Sequence, residues 1–376
     1  MTACRFLEPV DVLFLRGNKL FGDAGSYGES LIPPWPSVAA GAIRSQMLAE
    51  EGIDLIAFAG GTVAHPALGT PELPGSFAVT GFHLARRQGD RIESLHLLPA
   101  DLLALRADDG AITLKRLEPV PPHAGIEGSH PLPMWPLLAT DKQAKPAGSV
   151  WLTQAGWQRY LNGGLPEAGE IIESKNLWKT DPRVGVGLDP DRRRASDGKL
   201  FTVQAVALRE GHGFLALIDG AEPPASGTLR LGGDGRAAAV SVADYQSPEP
   251  DYDAIAQAGR CRIVLTSPGI FPSGWYPPGC DAEGNFELGG IRGRLISAAV
   301  PRAETVSGWD LAAKQGKGQP KPARQTTPAG SVYWIDHLET TVEALRKLVA
   351  QGLWPDQGYD AQRRAEGFNR FTFASY

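Results

Sequence analysis

The side chains able to do chemistry here are few and scattered. Seven histidines, at 65, 83, 96, 123, 130, 212 and 337, include no pair at i, i+4 around a glutamate, the spacing a helical zinc-protease site needs. His123 and His130 sit in a proline-rich loop, where they are candidates for metal ligands or for a ribonuclease acid and base. The run Gly232-Gly233-Asp234-Gly235-Arg236 invites comparison with nucleotidyl-cyclase palms. It carries one acid, whereas a two-metal site needs several converging carboxylates, so it reads as a hairpin turn. Asp108 and Asp109 also read as a turn. No phosphate loop of the G-x-x-x-x-G-K-[ST] type is present. "PAGSVY" lacks the second flanking glycine of a nucleophile elbow.

Anion binding has a better footing. In "LIPPWPSVAAGAIRSQML" (31–48), Pro33, Pro34 and Pro36 forbid a helix before Ser37 and leave an extended lead-in. Ser37 has the chemistry of an N-cap, and a helix is expected to run to about Glu50. Gly41 costs about 1 kcal/mol relative to alanine in a helix interior, which points to a close approach there. Ser37, Gly41, Arg44 and Leu48 fall on one face, bare near its start and cationic one turn later. That is a candidate meeting place for an anionic backbone and a helix N-terminus. A helix packed on a sheet, with Arg44 solvated, is the other reading.

Charge is unevenly spread over the chain. The 376 residues carry a net charge of −5, which argues against a free-standing protein that binds nucleic acid through bulk charge. Residues 289–333 nevertheless hold seven basic side chains (Arg292, Arg294, Arg302, Lys314, Lys317, Lys321 and Arg324) against Glu304 and Asp310. An acidic body with one basic strip suits a polyanion held along one face. The segment 175–200 adds Lys175, Lys179, Arg183, Arg192, Arg193, Arg194 and Lys199. It reads either as a long basic hairpin arm or as a surface loop whose acids cancel much of its charge. Cys4, Cys261 and Cys280 form no CxxC and suggest no disulfide framework. No stretch approaches 18 apolar residues, and the start lacks the parts of a signal peptide, so no membrane contact and a cytoplasmic location are expected.

The elements that must position these groups are mostly strands. Alternation marks strands near Phe6–Leu15, 76–87, 201–219, 229–242, 261–271 and 289–300, with 93–105 ambiguous. "PAGSVWL" (146–152) returns as "PAGSVYWI" (328–335), each followed by a helix-like segment, from Thr153 and from Asp336 to Val349. Strand patches with few helices, in βαβ order and doubled, predict an α+β fold of two tandem ferredoxin-like (RRM-like, βαββαβ) domains with loop and hairpin insertions. The expected division is 1–220, with the arm near 175–200, and 221–376, with a basic loop near 307–330.

Five segments together resemble one family: "FLEPVDVLFLRGNKLFG", "PPWPSVAAGAIRSQML", "LRLGGDGR", "SGWDLAAKQGKGQPKPARQTTPAGSVYWI" and the terminal "GFNRFTFASY". The family is the third subunit of the type III-B CRISPR effector (the Cmr complex), in the RAMP superfamily. The resemblance implies a non-catalytic chain with no cofactor. It would lie at the crRNA 5′ handle, beside the large polymerase-like subunit and the backbone RAMP subunit, with target RNA near the handle end. On that footing Ser37 to Arg44 would face the handle. Gly232, Gly233 and Gly235, with Arg236, would let the RNA backbone approach. The 175–200 arm would act like the family's thumb hairpin near the guide–target duplex. A single-stranded handle also offers bases for stacking, which makes Trp275, Trp309 and Tyr333 candidate platforms, or else core and interface residues. The competing expectation is a metal-independent guide-processing endoribonuclease of the same superfamily.

Overall fold

The computed structural model describes residues 2–17, 26–123, 125, 131–140, 145–189, 191–192, 194–310, 313–314 and 318–376. The fold is α+β, rich in sheet and sparing in helix. It divides into two compact units, neither continuous in sequence. The first is Met1–Ile92, Lys175–Asp244 and Thr305–Arg324; the second is Glu93–Ser174, Tyr245–Glu304 and Gln325–Tyr376. The chain therefore crosses between units repeatedly, where the sequence pattern predicts one boundary near residue 220. Both copies of the "PAGSV" echo fall in the second unit, so the echo does not mark a repeated domain.

In the first unit the antiparallel strands lie in the order Ala78–Gln88, His212–Asp219, Ala3–Pro9, Ala237–Val242 and Ser226–Arg230. The helix Pro36–Glu50 lies in the chain between Ala3–Pro9 and Ala78–Gln88, the first two strands of this sheet in sequence, and packs on Ala78–Gln88 and Ser226–Arg230. It buries Ala39, Ala40, Ile43, Met47 and Leu48, a face at helical spacing. Its start differs from expectation. Trp35 is the N-cap residue and Pro36 the first helical position, where a missing N–H costs nothing. Ser37 is inside the helix and caps nothing.

Strands Trp178–Leu188 and Ala195–Leu208 form a long hairpin, the first of the two readings that the 175–200 segment leaves open. Val203 and Ala205 on one of its faces bury against Val12 and Phe14. Val184, Val186, Leu188 and Leu200 are exposed, and Val186 lies directly across from Leu200.

His83, on the strand Ala78–Gln88, is held neutral by its surroundings: burial pushes its pKa down to about 4. Between that value and the ordinary 6.5, the unfolded chain binds a proton that the folded chain refuses, so stability rises with pH across this window. Urea midpoints measured from pH 7.5 down to 4.5 are expected to fall, with His83 contributing about 1–3 kcal/mol of the loss. His83→Gln should flatten that fall, and an unchanged profile in the variant would remove His83 as its cause.

The second unit orders its antiparallel strands Asn285–Leu288, Ile291–Ala299, Val332–Glu339, Cys261–Leu265 and Phe371–Ala374. Alternate residues feed two cores. Tyr333 and Ile335 join Cys261, Ile263 and Phe373 on one side, while Val332 and Trp334 join Val264, Trp157 and Tyr160 on the other. Burial on both faces explains why the strand Cys261–Leu265 carries apolar side chains at the consecutive positions Ile263, Val264 and Leu265. Helix Val342–Gln351 connects the last two strands, and its Leu345 and Leu348 cover the first face. The strand Val332–Glu339 occupies the start of the segment predicted as helix from Asp336.

Within this unit, Arg262 and Asp101 form an ion pair at 2.5 Å with both side chains fully buried. Tyr160 donates its hydroxyl to the other oxygen of Asp101 at 2.8 Å, and Arg262 donates to the Ser375 carbonyl at 2.6 Å. The "GFNRF" ending is also internal scaffolding. Asn369 donates to the Leu353 carbonyl at 2.8 Å and accepts from the Ile270 amide at 2.6 Å.

Setting aside the edge strands Ser226–Arg230 and Asn285–Leu288, both sheets follow one plan. Numbered along the chain within each unit, their strands lie second, third, first, fourth. The first unit has a helix between its first and second strands. The second has one between its third and fourth.

Candidate nucleic-acid interface

A groove of about 650 Å³ opens on the first unit. Ser37, Val38, Gly41, Ala42, Ser45, Gln46 and Ala49 line it from the helix. Phe14, Leu15 and Arg16 come from the N-terminal segment, Leu55 from the chain after the helix, and Arg230, Gly232 and Gly233 from the glycine turn. Three sequence motifs separated by up to about 200 residues therefore share one surface.

Each wall has a local cause. The helix offers a stripe of small side chains at Gly41, Ser45 and Ala49, all exposed. A Cβ built on Gly41 would meet nothing within 4 Å, so this glycine serves no internal packing. Gly232 is different. Its φ is +80°, and a Cβ there would lie 2.7 Å from the Phe14 carbonyl oxygen. The turn is pinned by the Gly233 amide, which donates to the same carbonyl at 2.8 Å. A residue with a side chain would lose this close approach to the Phe14–Arg16 segment.

The groove is polarised along its length. Leu15 accepts a hydrogen bond from Leu31 in the lead-in to the helix, and Arg16 bridges Ser30, so Arg16 stands at the helix N-terminal end. That end has no side-chain cap and no acid in the first turn. The Trp35 indole N–H beside it is buried without a partner. Leu55 follows the helix C-terminus, where Gln46 donates to Glu50 at 3.0 Å. One end is thus cationic and lies at a helix N-terminus, while the other is apolar with a single oriented amide.

The cations are not those read from the sequence. Arg44 stacks on Phe77, 4.9 Å from the ring centroid, and Leu48 is buried; neither lines the groove. At 100° per residue the open face centres near Gly41 and Ser45, which turns Arg44 to its far edge. Arg236 pairs with Asp11 at 2.8 Å and lies over Phe14 at 5.1 Å, so it braces the turn from behind. Arg16 and Arg230 are the groove's arginines. Arg230 is exposed and makes no side-chain hydrogen bond or ion pair with the described residues, whereas Arg16 reaches Asp234 at 3.4 Å. Arg16 lies within the quoted segment "FLEPVDVLFLRGNKLFG", but nothing local separates it from other surface arginines.

Other candidate residues lie elsewhere. On the arm, Lys175, Lys179 and Arg194 are exposed and Arg183 pairs with Asp181 at 2.9 Å; Arg193 is outside the described residues. Arg292 and Arg294 belong to the second unit, with Arg292 paired to Glu287. The basic loop is a ribbon in which Trp309–Asp310 pairs with Gln319–Pro320. Trp309 is 55% exposed and lies against Gly318, while Lys314 and Arg324 are exposed and Lys321 is half-buried. Tyr333 is wholly buried in the core and donates to the Trp275 carbonyl, and Trp275 is half-buried, stacked on Tyr276 and packed against that core, so Trp309 is the most open of the three.

Among the described residues, no three His, Cys, Asp or Glu side chains are placed to hold a metal ion. His65 and His96 are buried, with Nε2 of each bonded to Glu51 and Ser94 respectively. His123 lies outside the groove lining, and His130 is outside the described residues. No described helix is long and apolar enough to cross a membrane.

No curated protein matches the sequence. The chain is similar in fold to a chain of the cryo-EM structure of the Type III-B Cmr-beta bound to cognate target RNA and AMPPnP, state 1. The identity is 15%, the TM-score 0.45, and the match covers 88% of this chain and 86% of the other. A chain of the same assembly bound to cognate target RNA matches at 13% identity and a TM-score of 0.43, with the same coverage. The sequence model of the family CRISPR-associated protein (Cas_Cmr3) matches residues 5–372, nearly the whole length over which the five motifs are spread. The chain belongs to the Cas_Cmr3 family, the third-subunit family of the type III-B CRISPR effector.

Proposed function

We propose that this subunit is a non-catalytic RNA-binding element that holds the crRNA 5′ handle in the groove of its first unit. It would dock there beside the large polymerase-like subunit and the backbone RAMP subunit. One observation carries the reading: the helix Pro36–Glu50 and the Gly232–Gly233 turn, distant in sequence, converge with Arg16 and Arg230 on one open groove. The positive end of a helix dipole attracts phosphate, and the arginines add charge-assisted bonds. The shared strand order, second, third, first, fourth, supports reading each unit as a ferredoxin-like fold that has lost one of its two helices. The exposed Val184, Val186, Leu188 and Leu200 suit an arm that stacks near the end of the guide–target duplex, with Lys179, Arg183 and Arg194 toward phosphates. Trp309, Lys314, Lys321 and Arg324 form a further contact strip on this reading, and Arg292 and Arg294 a lesser one.

The test is salt dependence. On single strands log K falls by about 0.7 per unit of log salt for each phosphate neutralised. Arg16→Ala with Arg230→Ala should weaken handle binding and flatten the slope by about 1.4. Arg44→Ala should leave the slope unchanged, because that side chain stacks on Phe77. A slope unmoved by the double variant would take the handle out of this groove. Discrete metal-free cleavage of labelled repeat RNA, abolished by His123→Ala or His130→Ala, would replace the reading with an endoribonuclease.

A further inference from the structure

We infer that the segment 53–76, which follows the helix Pro36–Glu50, is a protein-docking face whose partner presents apolar side chains ringed by lysine or arginine. The inference goes beyond handle binding and rests only on the chain being an effector subunit, which its family gives. The short helix Leu55–Ala59 has the sequence LIAFA, and none of its five apolar side chains is fully buried. Ile56 is 72% exposed, and Leu73 on the loop that follows is 76% exposed. Val63 between them is exposed as well. An apolar helix left this open is the mark of a surface that another molecule covers.

The segment is held in place rather than loose. The Ile53 amide donates to the Leu48 carbonyl at 2.9 Å, which returns the chain onto the long helix. The Thr62 amide donates to the Ala57 carbonyl at 3.0 Å, which ties Val63 to the end of the short one. His65 accepts from the Ala67 and Leu68 amides through Nδ1, so Nε2 carries the hydrogen and donates to Glu51 at 2.9 Å. That bond latches the loop bearing Leu73 to the end of the helix Pro36–Glu50.

Charge selects the occupant. Residues 45–85 contain no lysine or arginine, while Glu50, Glu51, Asp54 and Glu72 within them are all exposed. Glu51 and Asp54 directly precede the apolar helix, and Glu72 precedes Leu73. Such a rim repels RNA phosphates and anionic lipid headgroups alike. A second copy docking through the same face would bring acids against acids. A protein surface of opposite sign with an apolar centre meets both features. Burial of the apolar side chains then supplies affinity, and the charges supply orientation and association rate.

Leu55 also lines the groove, so the test uses Ile56 and Leu73, which do not. The full chain, carrying the photo-cross-linker p-benzoylphenylalanine at either position, is assembled with the effector's other subunits and crRNA and then irradiated. Cross-links should join it to another protein subunit, within a stretch that holds lysine or arginine. Ile56→Asp with Leu73→Asp should weaken binding to that purified subunit about tenfold or more. Both side chains are exposed, so the urea midpoint and the salt slope of handle binding should stay as they are in the unaltered chain. Asp54→Asn with Glu72→Gln should slow association with the subunit and flatten its salt dependence, because asparagine keeps the helix cap and removes the charge. Cross-links only to RNA, only to a second copy of this chain, or to nothing overturn the inference. So does unchanged subunit binding by the double aspartate variant. A cross-linked stretch without lysine or arginine overturns the charge assignment. A handle slope unmoved by Arg16→Ala with Arg230→Ala overturns the groove and leaves this docking face standing.

Discussion

Replacing Gly41 with leucine is expected to stabilise the fold and weaken handle binding about tenfold or more. The two effects have separate causes. A glycine inside a helix is less favourable than leucine by about 0.5–1 kcal/mol, and a Cβ at this position meets nothing within 4 Å. The new side chain therefore costs the fold nothing and projects into the open groove. Binding should fall about tenfold or more, equivalent to about 1.4 kcal/mol or more. Urea unfolding and RNA titration on the same sample check this. The pairing of a higher midpoint with lost binding cannot come from partial unfolding. Gly232→Ala is the contrast. The left-handed backbone and the 2.7 Å approach to the Phe14 carbonyl make any side chain strained, so about 1–3 kcal/mol of stability should be lost with it. Undiminished binding by Gly41→Leu would show that the ligand lies elsewhere.

The second large effect is on stability alone. Asp101→Ala leaves the Arg262 guanidinium buried without its counter-charge and deprives the Tyr160 hydroxyl of its acceptor. Removing one partner of such a pair costs about 3–5 kcal/mol, against a total stability of about 5–15 kcal/mol for a typical domain. The unfolding transition of the second unit should move to markedly lower urea. Replacing both charges, Asp101→Leu with Arg262→Met, should recover most of the loss, because two apolar groups leave no charge stranded. If Asp101→Ala costs under about 1 kcal/mol, the pair is solvated in solution. The charges tie three distant parts of the unit: the strand Leu102–Arg106 through its neighbour Asp101, the strand Cys261–Leu265, and the Ser375 carbonyl near the end of the chain.

Local pattern and long-range pairing divide what was legible in this protein. The strands Ala78–Gln88, Ile291–Ala299 and Ser226–Val242 around their glycine turn are visible in sequence, because alternation and turn chemistry act within about ten residues. The helix Pro36–Glu50 is visible for the same reason. Its first residue is not, since proline is forbidden inside a helix yet tolerated at its first position. The arm is visible as a hairpin, and the family in the order of five motifs. What no local pattern contains is which arginines share a groove. Arg16, Arg44, Arg230 and Arg236 are alike in sequence, and their fates are set by what packs beneath them: Phe77 takes Arg44, Asp11 and Phe14 take Arg236, and the remaining two face the opening.

Domain membership was decided by tertiary structure for a related reason. A strand's hydrogen-bonding edges are identical whichever sheet it joins, and only burial of its two faces selects the partner. So Ser226–Arg230 and Ala237–Val242 pair with each other and with Ala3–Pro9 in the first unit, although a boundary near residue 220 places them in the second. The amino-acid sequence determined the elements, their turns and the family. The tertiary structure decided which cations line the groove, because packing beneath each side chain fixes the direction in which it faces.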